Sequence, residues 1–328
     1  MAVMTYLESV RETLRQEMRR DPRIIIYGED VGVRGGVFRV TEGLQAEFGE
    51  ERVMDSPLAE AAIVGTAIGA AINGLRPIPE IQFADFIFPA FNQIVEEAAR
   101  IRYRSNGDFG VPMVVRAPYG GGIHGALYHS QSVEAFFAHV PGLKVVMPAT
   151  PYDVKGLLAS SIEDEDPVIF LEHKGAYRSI RGEVPDERYL IPLGSADVKR
   201  QGTDISIISW GMTVNFSLTA AQKLEQEDGV SAEVLDLRTV RPLDVDAILA
   251  TTKKTGKVLI VYEDNLTGGF GGEVSAIIAE HALFDLDAPI RRLAGPDVPA
   301  MPYAPTLEHA FMVTPDKIHD AALNLARF

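Results

Sequence analysis

The stretch DSPLAEAAIVGTAIGAAINGL, residues 55–75, places a single glutamate, Glu60, at the head of a run of small apolar residues. Ser56 is a favoured N-cap residue and Pro57 suits a first helical position, so a helix is predicted to begin here. The apolar residues that follow predict that most of this helix is buried. A buried carboxylate needs a partner or a ligand, which makes Glu60 a candidate functional residue. The alternative is a surface carboxylate that gains about 0.3–1 kcal/mol from the helix dipole.

Short apolar runs alternate with helical segments on both sides of this helix. RIIIYGED precedes it, and PIPEIQF, PMVVRAP, LKVVMPAT and PVIFLEH follow it. A second series contains DISIISWG, VSAEVLDLRTV and KVLIVYEDN. Such alternation is typical of parallel sheets with helices on both faces. We therefore predict an α/β protein with two parallel-sheet domains, residues 1–185 and 203–328, joined by a charged, turn-rich linker at 186–202.

Composition excludes several classes of protein. The 328 residues are 46% hydrophobic and 23% charged, which is typical of folded globular chains. A net charge of −15 argues against nucleic acid or an anionic membrane as a partner. The lack of cysteine excludes disulfides and thiolate zinc sites. The N-terminus indicates an amphipathic helix rather than a signal peptide, and the apolar run 61–72 is shorter than the roughly 20 residues that span a bilayer. We expect a soluble, cytoplasmic protein.

The segment GGGIHG, residues 120–125, matches the G-x-G-x-x-G pattern directly after a predicted strand. An NAD-dependent dehydrogenase would use it as a phosphate-binding turn. However, ALYHSQS follows instead of an apolar helix, and no acidic residue lies about 20 positions later for a ribose contact. The pattern therefore favours a loop, and the dehydrogenase remains an alternative.

Two histidines, His124 and His129, lie in this glycine-rich loop, where parallel sheets commonly bind ligands. They do not form an H-E-x-x-H motif, so a metal site is not indicated. No G-x-S-x-G motif supports hydrolase chemistry. Phe86, in FADFIFPAF, is typical of a hydrophobic core, but its position at a predicted turn also suits an aromatic face that holds a planar heterocycle.

The order of four segments resembles one family. DSPLAEAAIVG, EIQFADFIFPAFNQI, GGGIHGALYHSQS and GLKVVMPATPYDVKGLL are similar to the beta subunit of thiamine-diphosphate-dependent 2-oxo acid dehydrogenases. The likeness extends over nearly the whole chain through GEDVG, DLRTVRPLD and KTGKVLIVYED. It implies a thiamine diphosphate pyrimidine-binding domain followed by a transketolase C-terminal-like domain. It also implies oxidative decarboxylation of 2-oxo acids and reductive acylation of lipoyl groups.

The resemblance also implies partners. The family's diphosphate and magnesium motif is GDG, but NGDFG at 106–110 has Phe109 in place of the second glycine. The alpha subunit is therefore expected to hold the diphosphate and magnesium, and this chain is expected to be active only with it, in an α2β2 heterotetramer. A dihydrolipoyl acyltransferase core is the further expected partner, through its peripheral-subunit-binding and lipoyl domains.

Specific residues take roles from the resemblance. Glu60 would hydrogen-bond N1′ of the cofactor's aminopyrimidine, Phe86 would stack on that ring, and Gln82 would position it. His129 would approach the thiazolium and the lipoyl arm as a proton donor, and His124 is a second candidate. A third interpretation is a non-catalytic assembly subunit, in which Glu60 and His129 are structural.

Two further expectations come from the resemblance. Ser161, Asp164 and Asp166, with backbone carbonyls near Met113, match a potassium-binding loop of relatives, although a solvated acidic turn explains the same residues. HGALYHSQSVEAFFAH and FADFIFPAFNQI are more similar to the branched-chain enzymes than to the pyruvate or acetoin enzymes. The expected substrates are 2-oxoisovalerate and its homologues, with pyruvate or acetoin dehydrogenase as the alternative.

Overall fold

The computed structural model describes residues 1–328, which group into two compact units. Unit 1 contains residues 1–119 and 136–193, and unit 2 contains residues 120–135 and 194–328. The predicted linker, residues 186–202, contains the strand Asp197–Arg200, which belongs to unit 2. Val198 of that strand pairs with Leu235, which gives the segment a place in the second sheet.

Unit 1 is built on a six-stranded parallel sheet. The elements in chain order are β1 (Ala2–Thr5), α1 (Tyr6–Arg20), β2 (Ile24–Gly28), α2 (Leu44–Phe48), β3 (Val53–Asp55), α3 (Glu60–Ile72), β4 (Arg76–Glu80), α4 (Ile101–Arg104), β5 (Val114–Tyr119), α5 (Glu134–Ala138, across the 135/136 boundary), β6 (Lys144–Val146), α6 (Pro151–Glu163), β7 (Val168–His173), α7 (Ala176–Ser179) and β8 (Arg181–Val184). The strand order is β6-β7-β5-β4-β2-β3, and β1 pairs with β8 in a separate antiparallel ribbon. Strands β2, β5 and β7 are buried at every residue, as expected when helices cover both faces.

Helix α3 begins later than predicted. Ala59 is its N-cap residue, and Ser56 instead donates its hydroxyl to the Pro57 carbonyl. The prediction that Ser56 is the N-cap residue was wrong, because a local hydrogen bond from its side chain to the backbone competes with capping. Glu60 is consequently the first helical residue. The helix is also less buried than predicted, since only one face packs inward, and that face consists of Glu60, Ile63, Val64, Ala67, Ile68 and Ala71.

The segment after β4 forms short helical turns rather than one long helix. It contains 3₁₀ turns at Ala84–Phe86 and Phe88–Ala90 and a π-helical turn at Gln93–Ala98, before α4. The tighter 3₁₀ turns and the wider π turn change the direction of successive side chains over a few residues, which a regular α-helix does not do.

Unit 2 is a second α/β layer structure. Its elements are β9 (Asp197–Arg200), β10 (Ile205–Ser209), α8 (Met212–Lys223), β11 (Ala232–Asp236), β12 (Thr239–Arg241), α9 (Val245–Thr255), β13 (Val258–Asn265), α10 (Gly271–His281), β14 (Arg291–Gly295), α11 (Pro305–Phe311) and α12 (Pro315–Ala326). The sheet order is β14-β13-β10-β11-β9, parallel except for β9. The predicted α/β class with two parallel-sheet layers is confirmed. Across the whole chain, no helix has the length and apolar character required to cross a bilayer.

Candidate cofactor site

The carboxyl ends of three adjacent strands of unit 1 bring polar side chains to one edge of the sheet. Glu29 follows β2, Glu60 opens the helix that follows β3, and Gln82 follows β4. These strands are neighbours in the order β4-β2-β3. Open parallel sheets bind ligands at this edge, because the loops there diverge and leave a crevice.

Glu60 is a buried carboxylate without a counter-charge. Its side chain is 8% exposed and forms no hydrogen bond or ion pair within the chain. Its position in the first turn of α3 places it near the unpaired N–H groups of the helix, which favour a negative charge. This arrangement leaves the carboxylate able to accept a hydrogen bond from a donor outside the chain.

Glu29 lies close enough to Glu60 for the two carboxylates to interact electrostatically. The sequence patterns did not identify Glu29 as a candidate. Burial raises the pKa of Glu29, and the negative charges of Glu60 and Asp30 raise it further. The available signal was its position directly after the fully buried strand IIIYG. Two neighbouring carboxylates favour a proton or a positively polarised ligand at this edge.

Aromatic packing holds Phe86 at the same edge of the sheet. Phe86 is half-buried, and its ring meets Phe83 edge to face with centroids 5.8 Å apart. Phe83 in turn packs against Phe38 at 5.4 Å and lies 5.5 Å from the Lys174 ammonium group. Gln82, also half-buried, precedes this cluster. The ring of Phe86 is therefore held in place by its neighbours while part of it stays accessible.

A buried ionic network lies across three strands of unit 1. Arg116 on β5 donates to both oxygens of Glu172 on β7, at 2.6 and 2.8 Å, and to Glu80 on β4, at 2.6 Å. Tyr177 donates its hydroxyl to Glu172 at 2.7 Å. Burial opposes the charge on Arg116, but the carboxylates of Glu172 and Glu80 outweigh it and raise the pKa of the guanidinium. The network ties together the three strands at the centre of the sheet.

The two loop histidines belong to unit 2, in the segment 120–135. A backbone bond from the Gly120 N–H to the Gln131 carbonyl, 3.0 Å, closes the base of the loop. His129 is half-buried and His124 exposed. His124 and Ala126 both adopt the left-handed backbone region, with φ of 57° and 55°, which costs of order 1 kcal/mol for a residue with a side chain. The surrounding contacts must therefore hold this conformation.

The predicted potassium ligands are already engaged by basic side chains. Lys144 binds the Asp164 carboxylate and Arg102 binds Asp166. Ser161 donates to the Leu157 carbonyl, and the Met113 carbonyl accepts from the Val168 N–H. These contacts within the chain also suit the alternative of an acidic turn, and the potassium site stays a prediction.

A second group of possible metal ligands lies in unit 2. Single ligand atoms of Glu227, Asp228 and His319 lie within 4.8 Å of one another. His319 already uses both ring nitrogens, toward Asp228 at 2.9 Å and Asp320 at 3.0 Å. Arg327 binds Asp228 as well. The cluster is thus accounted for by ion pairs within the chain.

Comparison with known proteins relates this architecture to a family. Residues 2–179 match the transketolase pyrimidine-binding domain, and residues 194–318 match the transketolase C-terminal domain. A split-gene transketolase, solved as an inactive beta4 tetramer, superposes with a TM-score of 0.79 at 21% identity, over 99% of this chain and 98% of that chain. At that identity, the likeness supports the fold alone.

Curated relatives are much closer in sequence. The 2-oxoisovalerate dehydrogenase subunit beta of Bacillus subtilis (strain 168) is 63% identical over 328 residues, which is 100% of both chains. The pyruvate dehydrogenase E1 component subunit beta of the same organism is 52% identical over 297 residues, 90% of this chain and 91% of that protein. The resemblance predicted from the sequence motifs is confirmed. The chain therefore belongs to the family of beta subunits of the thiamine-diphosphate-dependent 2-oxo acid dehydrogenases.

Proposed function

We propose that this chain is the beta subunit of the decarboxylating component of a branched-chain 2-oxo acid dehydrogenase complex. With an alpha subunit it would carry out oxidative decarboxylation of 2-oxo acids and reductive acylation of lipoyl groups. The observation that carries the proposal is Glu60, a buried carboxylate without a counter-charge at the ligand-binding edge of the sheet. The end-to-end 63% identity with a 2-oxoisovalerate dehydrogenase subunit favours branched-chain substrates over pyruvate or acetoin.

The residues at this edge fit the pyrimidine end of thiamine diphosphate. When bound, the cofactor supplies the electron sink for decarboxylation of the 2-oxo acid. In the proposal, Glu60 holds a proton at N1′ of the aminopyrimidine through a charge-assisted hydrogen bond. Phe86 covers one face of that ring, and Gln82 offers a polar side chain for orientation. The apolar helix behind Glu60 excludes water and strengthens its hydrogen bond.

The other end of the cofactor is proposed to lie on another chain. Residues 106–110 form a surface turn in which Asn106 and Gly107 have φ of 55° and 89° and Phe109 is half exposed. An exposed phenylalanine offers no ligand to magnesium or diphosphate. This supports an alpha subunit that holds magnesium and the diphosphate in an α2β2 heterotetramer. The chain is also proposed to bind a dihydrolipoyl acyltransferase core.

His129 is proposed to act after decarboxylation. An imidazole has one nitrogen that can donate a proton and one that can accept it, which suits proton delivery to a lipoyl sulfur during acyl transfer. Its half-buried position on a closed loop supports a fixed rather than a freely rotating side chain. His124, more exposed on the same loop, is proposed as a neighbouring contact for the lipoyl arm.

The alternative of an NAD-dependent dehydrogenase is not favoured by the GGGIHG loop. The N–H groups of Gly122 and His124 point to the Glu308 carboxylate, at 3.1 Å each. A carboxylate at this position would repel a dinucleotide pyrophosphate. Titration of the chain with NADH, followed by cofactor fluorescence, is expected to show no saturable change.

The central test is the substitution Glu60→Gln in the chain co-expressed with its alpha subunit. The amide cannot take up the proton, so we expect decarboxylation to fall by about 100-fold or more while the heterotetramer still forms. Rates would be measured on a panel of 2-oxo acids, including 2-oxoisovalerate and pyruvate, with and without thiamine diphosphate.

Glu96→Gln is the matched control, because Glu96 is exposed and pairs only with Arg100 on the surface. It should leave turnover unchanged. Near-normal turnover of the Glu60→Gln enzyme would remove Glu60 from the mechanism and would favour a non-catalytic assembly subunit. Preference for pyruvate across the panel would replace the branched-chain assignment.

A further inference from the structure

The first half of the histidine loop, residues 120–126, has an alternating backbone. Gly120, Gly122, His124 and Ala126 have positive φ, of 85°, 81°, 57° and 55°, whereas the residues between them do not. Alternation of this kind turns successive N–H groups toward one side and forms a concave site for an anion. In this chain the anion is a side chain. The N–H groups of Gly122 and His124 both donate to the same oxygen of Glu308, at 3.1 Å.

Glu308 is well placed to fix this backbone. It lies on α11, is 3% exposed, and contacts the His124 Nδ1 with its other oxygen at 2.5 Å. A second carboxylate, Glu263 at the end of β13, accepts the Gly121 N–H at 2.6 Å. Two acidic side chains from different elements of unit 2 thus bind three of the loop's N–H groups.

Packing links this anchored half of the loop to His129. A side chain at Gly121 would meet the sulfur of Met301 at 2.3 Å, so the backbone lies directly on that methionine. A side chain at Gly125 would lie 2.6 Å from the His129 carbonyl, which shows that the loop folds back on itself there. The backbone hydrogen bond from the Gly120 N–H to the Gln131 carbonyl joins the two ends of the loop. A shift at residues 122–124 would therefore move His129.

We propose that Glu308 is a positioning residue, which holds the strained loop so that His124 and His129 are presented in one geometry for transfer of the acyl group to a lipoyl arm. The proposal rests on the function proposed above for His129. In this scheme Glu308 acts through the loop and not on the reacting atoms, because both of its oxygens are engaged by loop residues. Its removal should affect acyl transfer more than decarboxylation.

The test compares Glu308→Ala with wild type, each co-expressed with the alpha subunit. Amide hydrogen exchange in peptides covering residues 120–128 should become faster by about tenfold, because two N–H groups lose a charged acceptor. Acylation of a lipoyl domain should fall about tenfold, while decarboxylation with an artificial oxidant should fall clearly less. His309→Ala, an exposed neighbour on the same helix, is the matched control and should change neither.

Two conservative variants keep the test decisive if Glu308→Ala does not assemble. Glu308→Gln retains an oxygen acceptor at full length and should restore protection and acyl transfer, whereas Glu308→Asp is one carbon shorter and should lose both. Unchanged exchange in Glu308→Ala, or equal behaviour of the Gln and Asp variants, would overturn the proposal. The proposal would also be overturned if Glu308→Ala lost its protection from exchange but decarboxylation and acyl transfer fell by equal factors. Failure of the proposed function would be seen in a different experiment, as normal decarboxylation by the Glu60→Gln enzyme. The hydrogen-exchange measurement on Glu308→Ala does not depend on that function.

Discussion

At the residue scale, Arg116 illustrates how much one buried charge can depend on its partners. Its guanidinium is fully buried between Glu80 and Glu172, and its removal would leave two carboxylates buried without a cation. Breaking such a network from one side costs about 3–5 kcal/mol. We therefore expect Arg116→Met to lower the free energy of unfolding by about that amount, measured by urea denaturation followed by circular dichroism.

The matched control at this scale is Arg100→Met, which removes a surface ion pair with Glu96. Both side chains are largely exposed, with 56% and 47% accessible, so solvent screens the pair. The expected loss is below about 1 kcal/mol. Equal losses in the two variants would show that the buried network does not contribute more than an ordinary surface pair.

At the element scale, helix α12 presents the end of the chain to solvent. Lys257 donates to the Ala326 carbonyl at 2.6 Å, so the helix is held at its last residue. Beyond that point Phe328 remains 71% exposed, beside a shallow cavity of about 320 Å³ that Leu293 and Leu325 also line. An exposed aromatic beside an apolar hollow suits a contact with another protein.

Deletion of Arg327 and Phe328 is therefore expected to weaken capture by the peripheral-subunit-binding domain of the acyltransferase about tenfold. The α2β2 assembly should persist, since the bond to Ala326 is retained. Affinity would be measured as binding of the purified heterotetramer to the immobilised peripheral-subunit-binding domain. Phe328→Leu, which keeps an apolar side chain, should bind nearly as well as wild type, and unchanged capture by the truncated chain would rule out this end of α12 as the contact.

At the scale of the whole molecule, stability should depend on pH through buried acids. Burial, followed by the charge of Asp264, raises the pKa of Glu134 to about 8, and burial raises the pKa of Asp264 to about 6. The folded chain thus holds protons that the unfolded chain releases near pH 4.5 from Glu134 and near pH 3.8 from Asp264. The stabilisation by each group is complete below the pH at which the unfolded chain releases its proton. It is lost as the pH rises to about 6 for Asp264 and about 8 for Glu134, at up to ~1.4 kcal/mol per pH unit for each group.

Glu134→Gln should remove the larger part of this dependence, because the amide stays neutral and can still accept the Trp210 N–H, which lies 3.1 Å from the glutamate oxygen. We expect wild type to lose stability relative to the variant between pH 5 and 8. Trp210 is the only tryptophan, so its fluorescence reports unfolding at this position. The exposed Glu273→Gln serves as control. Parallel pH curves for wild type and Glu134→Gln would contradict the prediction.

The sequence by itself determined the architecture and the family. Alternation of apolar runs with helical segments is local information, so both parallel sheets could be predicted from it. Glu60 stood out for a similar reason, since a lone carboxylate before a run of small apolar residues is visible in the sequence itself. The motif order identified the family, and Phe109 in NGDFG predicts a diphosphate site that another chain completes.

Tertiary structure decided the features that depend on residues far apart in the chain. Ser56 had the right type for a cap but uses its hydroxyl locally, so the helix begins at Glu60. Glu29 became relevant only when β2 and β3 paired. Glu308 lies more than 180 positions from His124, and nothing in its local sequence indicates a loop anchor. Long-range packing brings such groups together, and its energy is not encoded in the pattern of either segment alone.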